Sequence, residues 1–214
     1  MTDFAVLLGS KNYSSWSLRP WLALRQSGID FAETVVRLGS PDFAERVREW
    51  SPAGRVPVLR HGKTFVWDSL AICEYLAETF PEKALWPRER ESRALARAVS
   101  AEMHSGFQTM RGTMPMNVRA RGRKVKSTPE LERDVARVLE IWQTCRARAS
   151  GGGPWLFGSF TIADAMFAPV AFRFQTYGVA SDYAESLVAT PAMREWAEAS
   201  AREPEVIEHY EVGR

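Results

Sequence analysis

Cysteine is scarce in this sequence, and the little there is forms no site. Cys73 and Cys145 are the only two among 214 residues, far apart and outside any CxxC pair. That spacing supports neither a zinc site nor a dithiol redox motif. Each reads as a small buried apolar residue. Histidine is almost as rare: His61, His104 and His209 show no ligand spacing, so no metal is expected. No apolar run is long enough to cross a bilayer. Charge bias is also missing, since 28 basic and 26 acidic residues leave a formal +2. That balance does not demand a nucleic-acid partner and suits a small anionic ligand at least as well. The opening Met1-Thr2-Asp3-Phe4 places an acid where a secretion signal would carry bases. The expectation is a soluble cytoplasmic protein with no nucleic-acid or membrane partner.

What is present is an ordinary globular composition, 45% apolar and 25% charged, long enough to bury a core without disulfides or metals. The first eighty residues alternate strand and helix signals. Phe4 to Leu8 reads as a buried strand, and Trp16 to Gln26 as a helix stopped by Gly28. Phe31 to Leu38 reads as a second strand and Pro41 to Glu49 as a short charged helix. Val56 to Leu59 and Thr64 to Trp67 form a hairpin around His61-Gly62-Lys63. Asp68-Ser69 then caps a helix through Ile72 and Leu76. The order β-α-β-α-β-β-α implies a parallel pair, an antiparallel hairpin and helices on both faces.

Residues 81–90, rich in proline and charge, read as a linker. Beyond them strand signals nearly vanish. Ser92 to Val118 is a long helical region, bent near Pro115. Thr128-Pro129-Glu130 starts another helix. Gly151-Gly152-Gly153-Pro154 breaks the chain. Thr161 to Phe174 and Pro191 to Ala201 are helical again. Residues 91–214 are therefore expected to form an all-helical bundle.

Four local signals carry chemistry. Asn12-Tyr13-Ser14-Ser15-Trp16-Ser17-Leu18-Arg19-Pro20 joins the first strand to the first helix, at the strand end where open α/β sheets bind ligands. A serine there either caps the helix or presents its hydroxyl to an anion held by free N–H groups. In Arg55-Val56-Pro57-Val58-Leu59 the proline is either an edge-strand proline or a cis proline exposing the Val56 backbone to an extended peptide. Asp68-Ser69-Leu70-Ala71-Ile72 is either a helix cap or a grip on an amino-acid head group, with Ser69 on the carboxylate and Asp68 on the ammonium. In Ser159-Phe160-Thr161-Ile162-Ala163-Asp164, Thr161 and Asp164 form a capping box, so Asp164 is read as structural. The basic run Arg119 to Lys126 reads as a solvated connection between two helices. No aromatic residue interleaves it, as a single-strand binding strip would require.

In this order the motifs resemble the soluble glutathione transferase superfamily over essentially the whole chain. Ser14-Ser15-Trp16-Ser17-Leu18-Arg19 looks most like the zeta class and its bacterial relatives, whose motif reads Ser-Ser-Cys-x-x-Arg. The resemblance implies a thioredoxin-like glutathione-binding domain over 1–80 and a helical, substrate-binding and dimer-contacting domain over 91–214. It implies glutathione as co-substrate, a homodimer, a cis Pro57, Val56 pairing with the cysteinyl backbone, and Asp68 and Ser69 holding the γ-glutamyl group. Arg55 belongs with these glutathione-binding residues. By position Ser14 is the catalytic hydroxyl, Ser15 the close second and Tyr13 a third candidate. Trp16 replaces the motif's cysteine, which puts zeta-type maleylacetoacetate isomerisation and dehalogenation in doubt.

A thiol with a pKa near ~8.5 is only a few per cent ionised at neutral pH. A hydroxyl donor and a helix N-terminus would lower that value, and the thiolate would attack a small electrophile. Asn12, Trp16, His104, Phe107 and Arg111 are expected to bind this electrophile. Helical spacing places the last three with Gln108 on one face, near Met103 and Met110. Arg111 is the candidate for a substrate carboxylate. The competing functions are a non-catalytic glutathione-binding or protein-interaction member of the same fold, a zeta-like isomerase, and glutathione-dependent reduction. The last ranks lower because no cysteine sits at the catalytic turn.

Overall fold

The computed structural model describes residues 3–149 and 153–214. The N-terminal part is a four-stranded sheet of order β2-β1-β3-β4, formed by β1 (Phe4–Gly9), β2 (Ala32–Val36), β3 (Val58–His61) and β4 (Thr64–Val66). β1 runs parallel to β2, pairing Ala5 with Ala32 and Gly9 with Val36. It runs antiparallel to β3, pairing Leu7 with Val58, and β3 pairs with β4 through the hairpin. Alternation along β1 sends side chains to two cores. Val6 and Leu8 join α1 (Ser15–Gln26) and α3 (Ser69–Thr79) through Leu18, Leu22, Ile72 and Leu76. Leu7 faces Val36, Val58 and Val47 of α2 (Phe43–Arg48). This is the thioredoxin-like arrangement that the resemblance implies.

The rest is helical: α4 (Arg90–Ser105), α5 (Gln108–Thr113), α6 (Pro129–Arg148), α7 (Ile162–Tyr177), α8 (Asp182–Val188) and α9 (Pro191–Ala201). α7 is buried along nearly its whole length and sits among α1, α4 and α8. One apolar cluster runs unbroken from β1 through α7 to Trp196 of α9. Trp21 and Trp196 meet edge to face at 4.9 Å, with the Lys11 ammonium over both rings.

Several expectations need correction. The long helix does not bend near Pro115; it stops at Ser105 and restarts at Gln108. A Cβ on Gly106 would meet the Glu102 carbonyl oxygen at 2.8 Å, and Phe107 takes a left-handed φ of 61°. That conformation costs roughly 1–2 kcal/mol. Burying the Phe107 ring contributes about 1.5–3 kcal/mol, which is enough to hold it. The segment read as a linker is docked: Leu85 and Trp86 are buried, the Leu85 carbonyl accepts the Ile162 N–H, and Trp86 donates to Glu74. α8 carried no sequence expectation. Gly151 and Gly152 of the glycine break lie outside the described residues.

The capping box is present and extended. The Asp164 carboxylate accepts the Thr161 N–H and hydroxyl, the Leu156 N–H and the Tyr183 hydroxyl at 2.8–3.0 Å, wholly buried. Cys73 and Cys145 are free and buried, and burial pushes each thiol up to about 12.

Candidate active site

Two adjoining clefts open beyond the carboxyl end of β1, between α1 and the α4–α5 break. The larger, about 740 Å³, is lined by Tyr13, Ser14, Ser15, Trp16, Leu38, Phe43, Arg55, Val56, His104, Gln108, Arg111, Met116, Arg173 and Tyr210, among others. The smaller, about 350 Å³, shares Trp16, Arg55, Val56 and His104 and adds Pro57, Trp67, Asp68 and Ser69. A third cleft of about 730 Å³, on α7 to α9, holds none of the motif residues.

Ser14 is the N-cap of α1. Its hydroxyl accepts the Ser17 N–H at 3.4 Å and donates to Ser17 Oγ at 2.8 Å. Ser17 Oγ, fully buried, also accepts the Gly9 N–H at 3.0 Å. A Cβ on Gly9 would crowd this spot, lying 3.1 Å from Ser14 Oγ, 3.0 Å from Val56 Cγ2 and 2.9 Å from Leu38 Cδ2. Ser15 is half-buried on the cleft wall. The Val56–Pro57 bond is cis. Asp68 caps α3 by accepting the Leu70 N–H, while its second oxygen lies 3.3 Å from His104 Nε2. The Ser69 hydroxyl is buried and has no partner.

Trp16, about a third exposed, carries two guanidinium groups over its ring: Arg19 at 4.3 Å and Arg111 at 4.7 Å from the centroid. Arg19 is 2% exposed, and its Nε and Nη1 have no hydrogen-bond partner. Burial, with Arg111 and Arg173 nearby, pulls its pKa well below the usual arginine value. Arg173 of α7 donates to the Met114 carbonyl at 2.8 Å, and burial lowers it to about 10. His104 is held below 6.5 by burial, against the pull of Asp68 and with Arg19 and Arg111 adding to the shift. Positive charge thus gathers at the cleft, and among the described residues that line the two clefts Asp68 supplies the carboxylate.

The structure brings Ser14, Ser15, Trp16, Arg55, Val56, Pro57, Asp68, Ser69, His104 and Arg111 together. It places two expected residues elsewhere. Asn12 is wholly buried, bonding Asn117 and the Arg119 N–H. Phe107 lies in the core, because the helix break turns it away from the face of His104. Met103 and Met110 are core residues too. The Tyr13 hydroxyl donates to Glu211 at 2.8 Å. Arg173 and Tyr210 had no sequence signal; both reach the cleft only through tertiary contact. The basic run is also only partly solvated. Arg121, Lys124 and Lys126 are exposed, while Arg119 and Arg123 bind residues 203–211. Arg119 takes main-chain carbonyls, and only Glu211 meets the run with its carboxylate, at Arg123.

Comparison with known proteins agrees with this architecture. Residues 13–79 match the model of the glutathione S-transferase N-terminal domain, and residues 128–199 that of its C-terminal domain. A probable maleylacetoacetate isomerase of Caenorhabditis elegans is 38% identical over 96 residues, 45% of this chain and 44% of that protein. Glutathione S-transferase 1 of Dianthus caryophyllus is 36% identical over 115 residues, 51% of this chain and 50% of that protein. The chain therefore spans about half the length of the curated relatives it matches. The crystal structure of a glutathione transferase homolog from Burkholderia with bound glutathione has a TM-score of 0.70 at 24% identity, covering 94% of this chain and 99% of that one. No helix among the described residues is long and apolar enough to cross a membrane.

Proposed function

Because the chain belongs to the glutathione S-transferase family, we propose that it is a cytoplasmic, homodimeric glutathione transferase that activates the glutathione thiol with a serine hydroxyl for attack on small electrophiles. Residues 1–80 hold glutathione, 81–90 connect, and 91–214 complete the electrophile pocket. The observation that carries this reading is convergence. Ser14, the cis Val56–Pro57 pair and the unpartnered Ser69 hydroxyl, far apart in sequence, line two joined clefts.

In this reading the γ-glutamyl carboxylate takes the free Ser69 hydroxyl and the first turn of α3, and its ammonium takes Asp68. The Val56 backbone, with Arg55 beside it, pairs with the cysteinyl unit. The sulfur then lies at the first turn of α1, where N–H groups lack intrahelical partners. Ser14 donates to the thiolate without moving a heavy atom. Ser17 Oγ lies 2.8 Å away and carries its own proton, so the pair reverses: Ser17 donates to Ser14, and Ser14 to sulfur. A hydrogen bond to a charged group is worth about 1.5–3 kcal/mol. At 1.36 kcal/mol per unit, that lowers a thiol pKa by roughly 1–2 units. The buried arginine charge and the helix N-terminus add to this.

The test is retention on immobilised glutathione, with turnover of chlorodinitrobenzene by wild type, Ser14→Ala and Ser15→Ala. The reading expects binding by all three and a rate loss of ten-fold or more in Ser14→Ala. Neither variant losing rate contradicts it.

A second reading, zeta-like isomerisation of maleylacetoacetate, draws on one specific feature. Arg111 and Arg173 both line the larger cleft, where two cations suit a carboxylated substrate. Turnover of that substrate, lost in Arg111→Ala with chlorodinitrobenzene turnover retained, would favour it.

A further inference from the structure

Tyr13 sits directly before the serine pair, yet its hydroxyl has no proton to give. It donates to Glu211 Oε1 at 2.8 Å and accepts from Arg119 Nη2 at 3.2 Å and the Ile207 N–H at 3.3 Å. One donation and two acceptances fill a phenol's capacity. The ring is 2% exposed and stacks on Tyr210, centroids 5.1 Å apart and planes 19° from parallel. Tyr210 in turn lines the larger cleft.

The segment that Tyr13 grips, residues 203–214, has no regular structure beyond a single 3₁₀ turn, Glu208–Tyr210. Polar bonds from two other parts of the chain, residues 10–13 and 117–124, hold it. The Glu203 carboxylate accepts the Lys11 and Asn12 N–H groups, and Ser10 donates to Glu205. Arg119 donates to the Glu203 and Glu205 carbonyls. Glu211 gathers Asn117 at 2.8 Å and Arg123 at 2.6 Å besides Tyr13. The Lys124 N–H donates to the Gly213 carbonyl. Val206 remains 56% exposed. A segment docked by hydrogen bonds rather than by core burial opens at lower free energy than the fold unfolds.

We propose that Tyr13 is a positioning residue: its phenol latches residues 203–214 so that Tyr210 stands as an aromatic wall of the electrophile pocket. The latch thereby sets which electrophiles fit. This rests on the reading of the larger cleft as the electrophile site, but assigns Tyr13 no part in activating the thiol. Arg119, through the Glu203 and Glu205 carbonyls, and Arg123, through the Glu211 carboxylate, belong to the same device. A planar electrophile lies against Tyr210; without the latch that face is lost.

The experiment compares wild type, Tyr13→Phe, a chain ending at Ile207, and the combination. Each is read by glutathione affinity from calorimetry, the pH profile of turnover, and KM for chlorodinitrobenzene. Tyr13→Phe keeps the ring and removes the grip. It is expected to raise that KM several-fold, leaving glutathione affinity and the pH profile in place. Shortening the chain should raise KM at least as much, and the combination no further, because both changes break one unit. Multiplying effects would overturn the proposal. So would a displaced pH profile in Tyr13→Phe with KM unchanged, the mark of an activating hydroxyl. If wild type binds no glutathione, the functional reading fails, while the latch is still read by amide exchange. Amides of 207–213 must exchange several-fold faster in Tyr13→Phe, and equal rates would refute it.

Discussion

Asp164 gives the sharpest stability prediction. Its carboxylate receives four buried hydrogen bonds, from the Leu156 N–H, the Thr161 N–H, the Thr161 hydroxyl and the Tyr183 hydroxyl. Asp164→Ala strands those donors. The Thr161 hydroxyl can rotate, which leaves three, at about 1–3 kcal/mol for each unsatisfied buried group. The sum is roughly 3–9 kcal/mol, set against about 5–15 kcal/mol for a whole domain. Asp164→Ala should therefore consume most of the stability. Tyr183→Phe removes one bond to a charged group and should cost about 1.5–3 kcal/mol. Urea unfolding followed by tryptophan fluorescence measures both, with the midpoint falling at constant slope. Activity per folded molecule should survive in Tyr183→Phe. A loss under about 1 kcal/mol in Asp164→Ala, less than one stranded donor, would refute the reasoning. An Asp164→Asn protein with full stability and no turnover would make the residue catalytic instead.

Three further outcomes are expected. Ser17→Ala removes the partner that lends Ser14 a proton, so the bound thiol should titrate higher than in wild type; Ser17→Thr, which keeps a hydroxyl, should restore most of the shift. Arg19→Met replaces a buried cation whose Nε and Nη1 lack partners. It should leave unfolding stability unchanged or raised, while weakening glutathione binding measured by calorimetry; equal affinity would show that Arg19 lends the site no field. Glu211 is held below 4.5: burial pushes it up, but the bonds from Tyr13, Asn117 and Arg214 and the charge of Arg123 outweigh that. A depressed native value means its contribution to docking is complete above the unfolded value and is lost as pH falls through the native one. Amide exchange at 207–213, relative to intrinsic rates, should therefore rise on acidification, and Glu211→Gln should abolish the step.

Local pattern carried the strands and most helices. The apolar run of β1, the cap at Asp68, the stop at Gly28 and the Thr161–Asp164 box are all decided within a few residues of themselves. The cleft-lining motifs of the candidate site were legible for the same reason, because each sits at an element end. What escaped is decided at long range. Helical spacing places Phe107 on the cleft face, but burial of its ring in the core accompanies a left-handed turn that breaks the spacing. Asn12 looked like a turn residue facing ligand, and instead pairs with Asn117, 105 positions away. Tyr13 and Glu211 are 198 positions apart, and no local rule pairs them. Arg119 and Arg123 read as solvated because their partners, two backbone carbonyls and the Glu211 carboxylate, lie 84 to 88 positions later in the chain.

The central claim concerns one proton, and it is measured most directly by titrating bound glutathione through the ultraviolet absorbance of its thiolate. The account predicts that in the wild-type complex the thiol ionises a unit or more below its free value of about 8.5, and that Ser14→Ala moves it back toward that value. A bound thiol that titrates as it does in free solution, or one that Ser14→Ala leaves unmoved, would contradict the account.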